Sequence, residues 1–193
     1  NGWAKFNSTA LTGSGGIFSL HRAWFSDATS IVVASSHTKT VRWDGSAFQD
    51  LTTGLTTEQR FGYTMFNSLL ISGNATESTK KMTSAGTETA LGGSPPNAKL
   101  FATWRNRVWA AGNATFPNRL YVSALNNEAD WTTSGDAGTV DIDKDSGDVI
   151  TAIVPHGNRL LVFKNASIHA VYFNSLQQMS VDPITTNVGT IAG

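Results

Sequence analysis

Three short apolar runs, at 150–154, 160–163 and 168–173, follow one another with only turn residues between them: Pro155-His156-Gly157-Asn158 and Lys164-Asn165-Ala166-Ser167. Runs of four to six residues rich in Ile, Val and Phe, punctuated in this way, read as strands, because a helix needs ten or more residues to offer an apolar stripe. The segment is therefore a three-strand meander. The same pattern occurs upstream. Aligned on the second strand, Ile31, Leu69, Val108 and Leu160 lie 38, 39 and 52 residues apart, and the third strands, led by Val41, Met82, Leu120 and Ile168, follow them by 10, 13, 12 and 8. Three of the tight turns also read alike: Asn67-Ser68-Leu69, Asn106-Arg107-Val108 and Asn158-Arg159-Leu160.

A repeat of about 40 to 50 residues with up to four strands per unit is the spacing of β-propeller blades. The expected fold is all-β: a propeller-like array of about four antiparallel blades, part of a larger propeller. One domain covers 1–193, with blade-like units at roughly 17–55, 61–93, 99–131 and 148–173. The acidic stretch 136–148 lengthens the last interval and reads as an inserted loop between blades. The segment 125–131 is the best helix candidate and amounts to a turn or two. Neither WD40 nor kelch spacing is met: the single Trp43-Asp44 pair lacks a Gly-His partner, and the glycine pairs lack a recurring aromatic context.

Composition narrows the function classes. With no cysteine there are neither disulfides nor thiolate metal sites. Fourteen basic and fourteen acidic residues cancel, so no electrostatic case exists for nucleic acid or an anionic membrane as partner. No run approaches the roughly 18 apolar residues of a membrane span. The chain is rich in Gly, Thr, Ser and Asn, with six Trp and ten Phe, which is a strand-and-turn profile.

Chemistry-bearing motifs are sparse. His21, His37, His156 and His169, read as one to a blade, share no local motif, and no GxSxG elbow, HExxH or Walker lysine occurs. Asp141, Asp143, Asp145 and Asp148 place carboxylates close together, as a hard-oxygen Ca²⁺ loop would, but Ser146 stands where an EF-hand needs Gly and no Glu closes the loop. A solvated acidic turn, with Asp141 and Asp143 facing outward, is the expectation. The Ser134-Gly135-Asp136 hairpin begins like a sialidase Asp-box, yet Asp141 replaces its Trp. Asn7, Asn74, Asn113 and Asn165 each open an N-x-S/T triplet of the kind an Asn- and Thr-rich chain produces by chance. Among the tryptophans, Trp104 and Trp109 lie in strand runs and should pack in the core, while Trp3 and Trp131, beside polar loops, are the two expected to face a partner.

The stretches RNRVWAAGNATFPNRLYVSALNNEADW, ending at Trp131, GDVITAIVPHGNRLLVFKNASIHAVYF at 147–173 and VGTIAG at 188–193 resemble the β-propeller proteins of tailed-bacteriophage virions, found at the head–tail junction and in the tail tube or nozzle. The likeness covers the last 90 or so residues well and the first hundred through periodicity only. It departs at His169, where such proteins often carry Tyr. The resemblance implies a structural virion part, not an enzyme. Its partners would be other copies of itself in a homo-oligomeric ring and neighbouring tail proteins, with no sequence-specific nucleic acid, membrane, metal or cofactor. The other reading is a carbohydrate-binding or glycoside-cleaving propeller whose working parts would be Trp131, Asp136 and the acidic loop. A last expectation is that the chain does not complete its structure alone: four blades is the lower limit for closing a ring, so it is a fragment of a larger propeller or a subunit completed by neighbours. Leu161, in the second strand of the last meander, is expected to be a buried leucine packed between strands.

Overall fold

The computed structural model describes residues 11, 16–56, 60–133 and 135–190. Their strands form four separate antiparallel sheets of four strands, each a meander in chain order. The first holds β1 (Ile17–Trp24), β2 (Ser30–Ser36), β3 (Lys39–Trp43) and β4 (Phe48–Thr52). The second holds β5 (Gly62–Phe66), β6 (Leu69–Gly73), β7 (Lys80–Met82) and β8 (Glu88–Ala90). β9 (Leu100–Trp104), β10 (Arg107–Ala111), β11 (Arg119–Val122) and β12 (Gly138–Asp141) make the third, and β13 (Ile150–His156), β14 (Arg159–Lys164), β15 (Ile168–Phe173) and β16 (Met179–Thr185) the fourth. Helix is confined, among the described residues, to two 3-10 turns, Lys144–Ser146 and Leu176–Gln178.

The tight turns explain why these short runs fold back where they do. His37, Asn67, Ser68, Arg105, Asn106 and Gly157 all have positive φ, the left-handed backbone that two-residue hairpins of native twist require. Asn and Gly reach it at little cost, and the surrounding strands hold the others there.

Each sheet packs face to face on the next, and the first strands β1, β5, β9 and β13 lie side by side in that order. Three apolar cores fill the gaps. Ala23, Ile31 and Val33 of the first sheet meet Leu70 and Met82 of the second. Phe66 and Ile71 meet Phe101, Val108, Ala110 and Trp131. Trp104, Trp109, Leu120 and Val122 meet Ile150, Ile153, Leu160, Val162, Val171 and Phe173. The third core is the largest. Trp109 is at its centre, its indole nitrogen donating to Trp104 O at 3.1 Å and its ring edge-on to Phe173 at 5.1 Å between centroids.

Two segments depart from the sequence reading. The stretch taken as an inserted loop supplies β12, which pairs along β11 from Val122↔Gly138 to Arg119↔Asp141. Similarly the fourth sheet does not end at 173 but gains β16, paired from Phe173↔Met179 to Ile168↔Thr185. Both are outermost strands with one paired edge, and neither carries a run of large apolar residues. Pro183 sits in β16, where an edge strand tolerates a residue with no N–H to donate.

Candidate functional site

The acidic candidates do not converge. Asp141, at the end of β12, is held by Arg119, whose Nε donates to Oδ1 at 2.7 Å and whose second guanidinium nitrogen donates to Oδ2 at 3.0 Å. These hydrogen bonds keep its carboxyl below the usual carboxylate range. Asp143 is exposed, with left-handed backbone at φ 45, and Asp145 is exposed within the 3-10 turn that follows. Asp148 turns inward, its Oδ2 accepting from Ala166 N and Ser167 Oγ, both at 3.1 Å. Among the described residues no group of three or more His, Asp or Glu side chains is placed to hold a metal ion.

Trp131 corrects an expectation. It is 4% exposed, its indole nitrogen donates to Glu128 O at 2.7 Å, and it belongs to the core between the second and third sheets. Polar neighbours in sequence had suggested a surface ring, but the loop after β11 folds it inward. Trp3 lies outside the described residues. Asp136 pairs with Arg107 at 2.7 Å. The histidines are not one to a sheet: His21 and His37 belong to the first and His156 and His169 to the fourth. His21 stacks on Tyr63 at 5.1 Å, and burial pushes its pKa down.

A buried polar cluster at the fourth sheet was not anticipated. Lys164 is fully buried, and its ammonium donates to Ile142 O at 2.9 Å, Asp143 O at 3.1 Å and Ser146 Oγ at 3.0 Å, fastening the acidic turn to β14. The signal was present in the alternation Leu160, Val162, Lys164, which puts all three on one face of the strand. Nearby, Ser167 Oγ lies 3.1 Å from both Asp148 Oδ2 and His169 Nε2. The serine has one proton, which goes to the carboxylate, so His169 Nε2 must itself donate to Ser167. An imidazole that donates to a hydroxyl cannot take its proton, and the carboxylate orients the serine instead of the histidine. This is not the acid–base–nucleophile order of a hydrolase. Ser167 and His169 are both buried, and the cluster ties strands together.

A cleft of about 660 Å³ lies between the outer strands of the first two sheets and is lined by Arg42, Asp44, Gln49, Asp50, Leu51 and Glu88. Its carboxylates are already engaged. Asp44 accepts from Ser46 N, Ala47 N and Gln49 Nε2, Asp50 pairs with Lys39 at 2.8 Å, and Glu88 accepts from Thr52 Oγ1. Among the described residues no aromatic ring lines it for a sugar to stack on.

What remains is apolar surface on the fourth sheet and along the outer edge of the first. On the side of the first sheet turned away from the second, Leu20 and Trp24 of β1 are 62% and 61% exposed, with the Arg22 guanidinium 4.4 Å above the Trp24 ring, while Ala34 and Val41 on the same side are fully buried. In the fourth sheet the face turned away from the third carries Val154, Leu161, Phe163, Ile168 and Tyr172. Val154 is 44% exposed, and the other four are half-buried. Leu161 is therefore half-buried and not the core leucine expected: Leu160 and Val162 fill the core, and the strand faces the opposite way.

The chain has the β-propeller fold. It aligns with a computationally designed protein, Ika8, at TM-score 0.54 and 16% identity, over 92% of this chain and 51% of that one. The extracellular domain of a one component system from B. thetaiotaomicron aligns at TM-score 0.61 and 14% identity, over 94% of this chain and 23% of that one. The Neurospora crassa Pan2 WD40 domain aligns at TM-score 0.52 and 11% identity, over 92% and 49%. The chain thus spans about half the length of the designed protein and of the WD40 domain. No protein-family model and no curated protein matches it. At these identities the likeness is one of fold, and each sheet is a blade.

Proposed function

We propose that this chain is a structural, protein-binding propeller of a bacteriophage tail or head–tail connector, working by assembly into a ring and not by catalysis. The observation that carries the assembly part is the apolar outer face of the fourth blade, where Val154 is 44% exposed. Isolated surface leucines are ordinary, but Val154, Leu161, Phe163, Ile168 and Tyr172 side by side on one sheet face are a surface made to be covered. Each apolar Å² removed from water there contributes about 25 cal/mol. The virion part rests on the resemblance of residues 105–131 and 147–173 to phage propellers. Nothing in the polar clusters competes with it: the Asp148–Ser167–His169 chain is wired for support, and the carbohydrate reading loses its platform with Trp131 in the core.

Mass spectrometry of purified particles of the phage that encodes this chain tests the reading. Peptides of the chain should copurify at a fixed ratio to the tail proteins through density-gradient banding. Their absence from particles, together with saturable glycan binding by the free chain, would overturn it.

A further inference from the structure

We propose that the junction between the first and second blades is opened by acid, with His21 as the group that senses it. The device works within a single copy, whatever the chain assembles into.

His21 projects from β1 toward the second blade, in register with Val33, and its ring stacks on Tyr63 of β5 across the junction, 5.1 Å between centroids and 13° from parallel. Its Nε2 is buried without a hydrogen-bond partner among the described residues. A neutral imidazole tolerates this with one unprotonated nitrogen, but an imidazolium carries N–H on both. Protonation therefore leaves a buried, charged donor with nothing to accept from it.

Among the described residues the groups around the ring give no free counter-charge. Ser19 Oγ, two residues back along β1, is already shared with Ser35 Oγ, the Tyr63 hydroxyl and Phe61 N. Burial holds the Tyr63 phenol up at about 12, so it stays neutral. Arg22 points the other way, onto Trp24, and β2 offers only Val33 and Ser35 to the ring. Farther out along the same junction Glu88 pairs with Lys80 at 3.7 Å and accepts from Thr40 and Thr52, while Arg42 lies against Gly86. Burial thus lowers the His21 pKa with nothing to offset it. Because the closed junction binds this proton less tightly than the open one, opening is favoured as pH falls from about 6.5 through the closed-state pKa, by up to about tenfold per pH unit. The apolar core beside it, unlike the other two, has no tryptophan to hold the blades together.

Hydrogen exchange of the 193-residue chain at about pH 7 and pH 5, read by mass spectrometry and corrected for the intrinsic pH dependence of amide exchange, reports each blade separately. Peptides from β1 and β2 should open at least about fivefold more at the lower pH. His21→Phe keeps a ring on Tyr63 but cannot take a proton, and it should abolish that increase. His169→Gln, in the fourth blade, should leave the increase in place. Near-UV circular dichroism checks that each variant folds, and His21→Asn replaces the phenylalanine variant if the larger ring does not fit. On the wild-type chain, NMR of the His21 ring should give a titration midpoint below the ordinary histidine value and coincident with the opening. An acid-induced increase spread evenly over all four blades overturns the proposal, as does one that survives in His21→Phe or vanishes in His169→Gln. A His21 ring that titrates at its ordinary value overturns it without any variant.

Discussion

Leu160 and Leu161 are neighbours in sequence and face opposite sides of β14, so replacing each by alanine separates a core contribution from a surface one. Leu160 is fully buried among Trp109, Val122, Ile153 and Val171, between two sheets whose strands are hydrogen-bonded on both sides. Truncation to alanine removes three carbons, about 2.4 kcal/mol of transfer free energy at about 0.8 kcal/mol each. The flanking strands cannot collapse into the space, so the cavity adds to the cost and brings the total to about 3–5 kcal/mol. Leu161 is half-buried on the free face of the fourth blade, where the same truncation exposes about half as much new surface and leaves no closed cavity. Its cost should be about 1 kcal/mol in the separated chain. Urea unfolding followed by tryptophan fluorescence, at a chain concentration low enough to keep copies apart, measures both. The six tryptophans provide the signal, and an unchanged m-value licenses the comparison. Equal costs, or a larger cost at Leu161, would refute the assignment of faces and with it the location of the third core.

Other perturbations probe the polar cluster and the blade junctions. Lys164→Met should destabilise the fold by about 1–3 kcal/mol, because the buried Ile142 carbonyl loses its donor, even though removing a buried ammonium offsets part of that cost; a stabilised variant in thermal melts would show the offset to be the larger effect. Burial pushes the His169 pKa below its ordinary value, and the nearby Lys164 charge adds to this, so the unfolded chain takes up the proton first. That contribution to stability is complete above about pH 6.5 and declines as pH falls through the folded pKa. His21, lowered by burial, acts in the same direction. The pH 7 to 5 stability slope should therefore shrink in His169→Gln and shrink again on adding His21→Gln, and an unchanged slope in urea titrations would refute the burial argument. Gly62→Ala should cost at least 1–3 kcal/mol, since its Cβ would lie 2.1 Å from the Lys99 carbonyl oxygen where β5 meets the next blade; an unaltered unfolding midpoint would mean that the second and third blades are not packed this closely.

The architecture was legible in the chain because it rests on local chemistry. Strands such as β10 and β14 are apolar runs too short for a helix, and turns such as Asn67-Ser68 and Arg105-Asn106 each carry an asparagine, which suits a left-handed backbone. Their spacing fixes a blade repeat without any knowledge of what packs on what. The outer strands β12 and β16 escaped notice since an outermost strand is paired on one edge and needs no run of large apolar residues. Alternation along β14 shows that Leu160 and Leu161 face opposite ways, but a period of two has no sign, and only the third blade packing on one side decides which is core. Trp131 and Lys164 make the same point with their chemistry reversed. Polar neighbours made the tryptophan look like surface and the charge made the lysine look like surface, yet both are buried, because burial is set by the blades and turns that close over a residue and not by its neighbours along the chain.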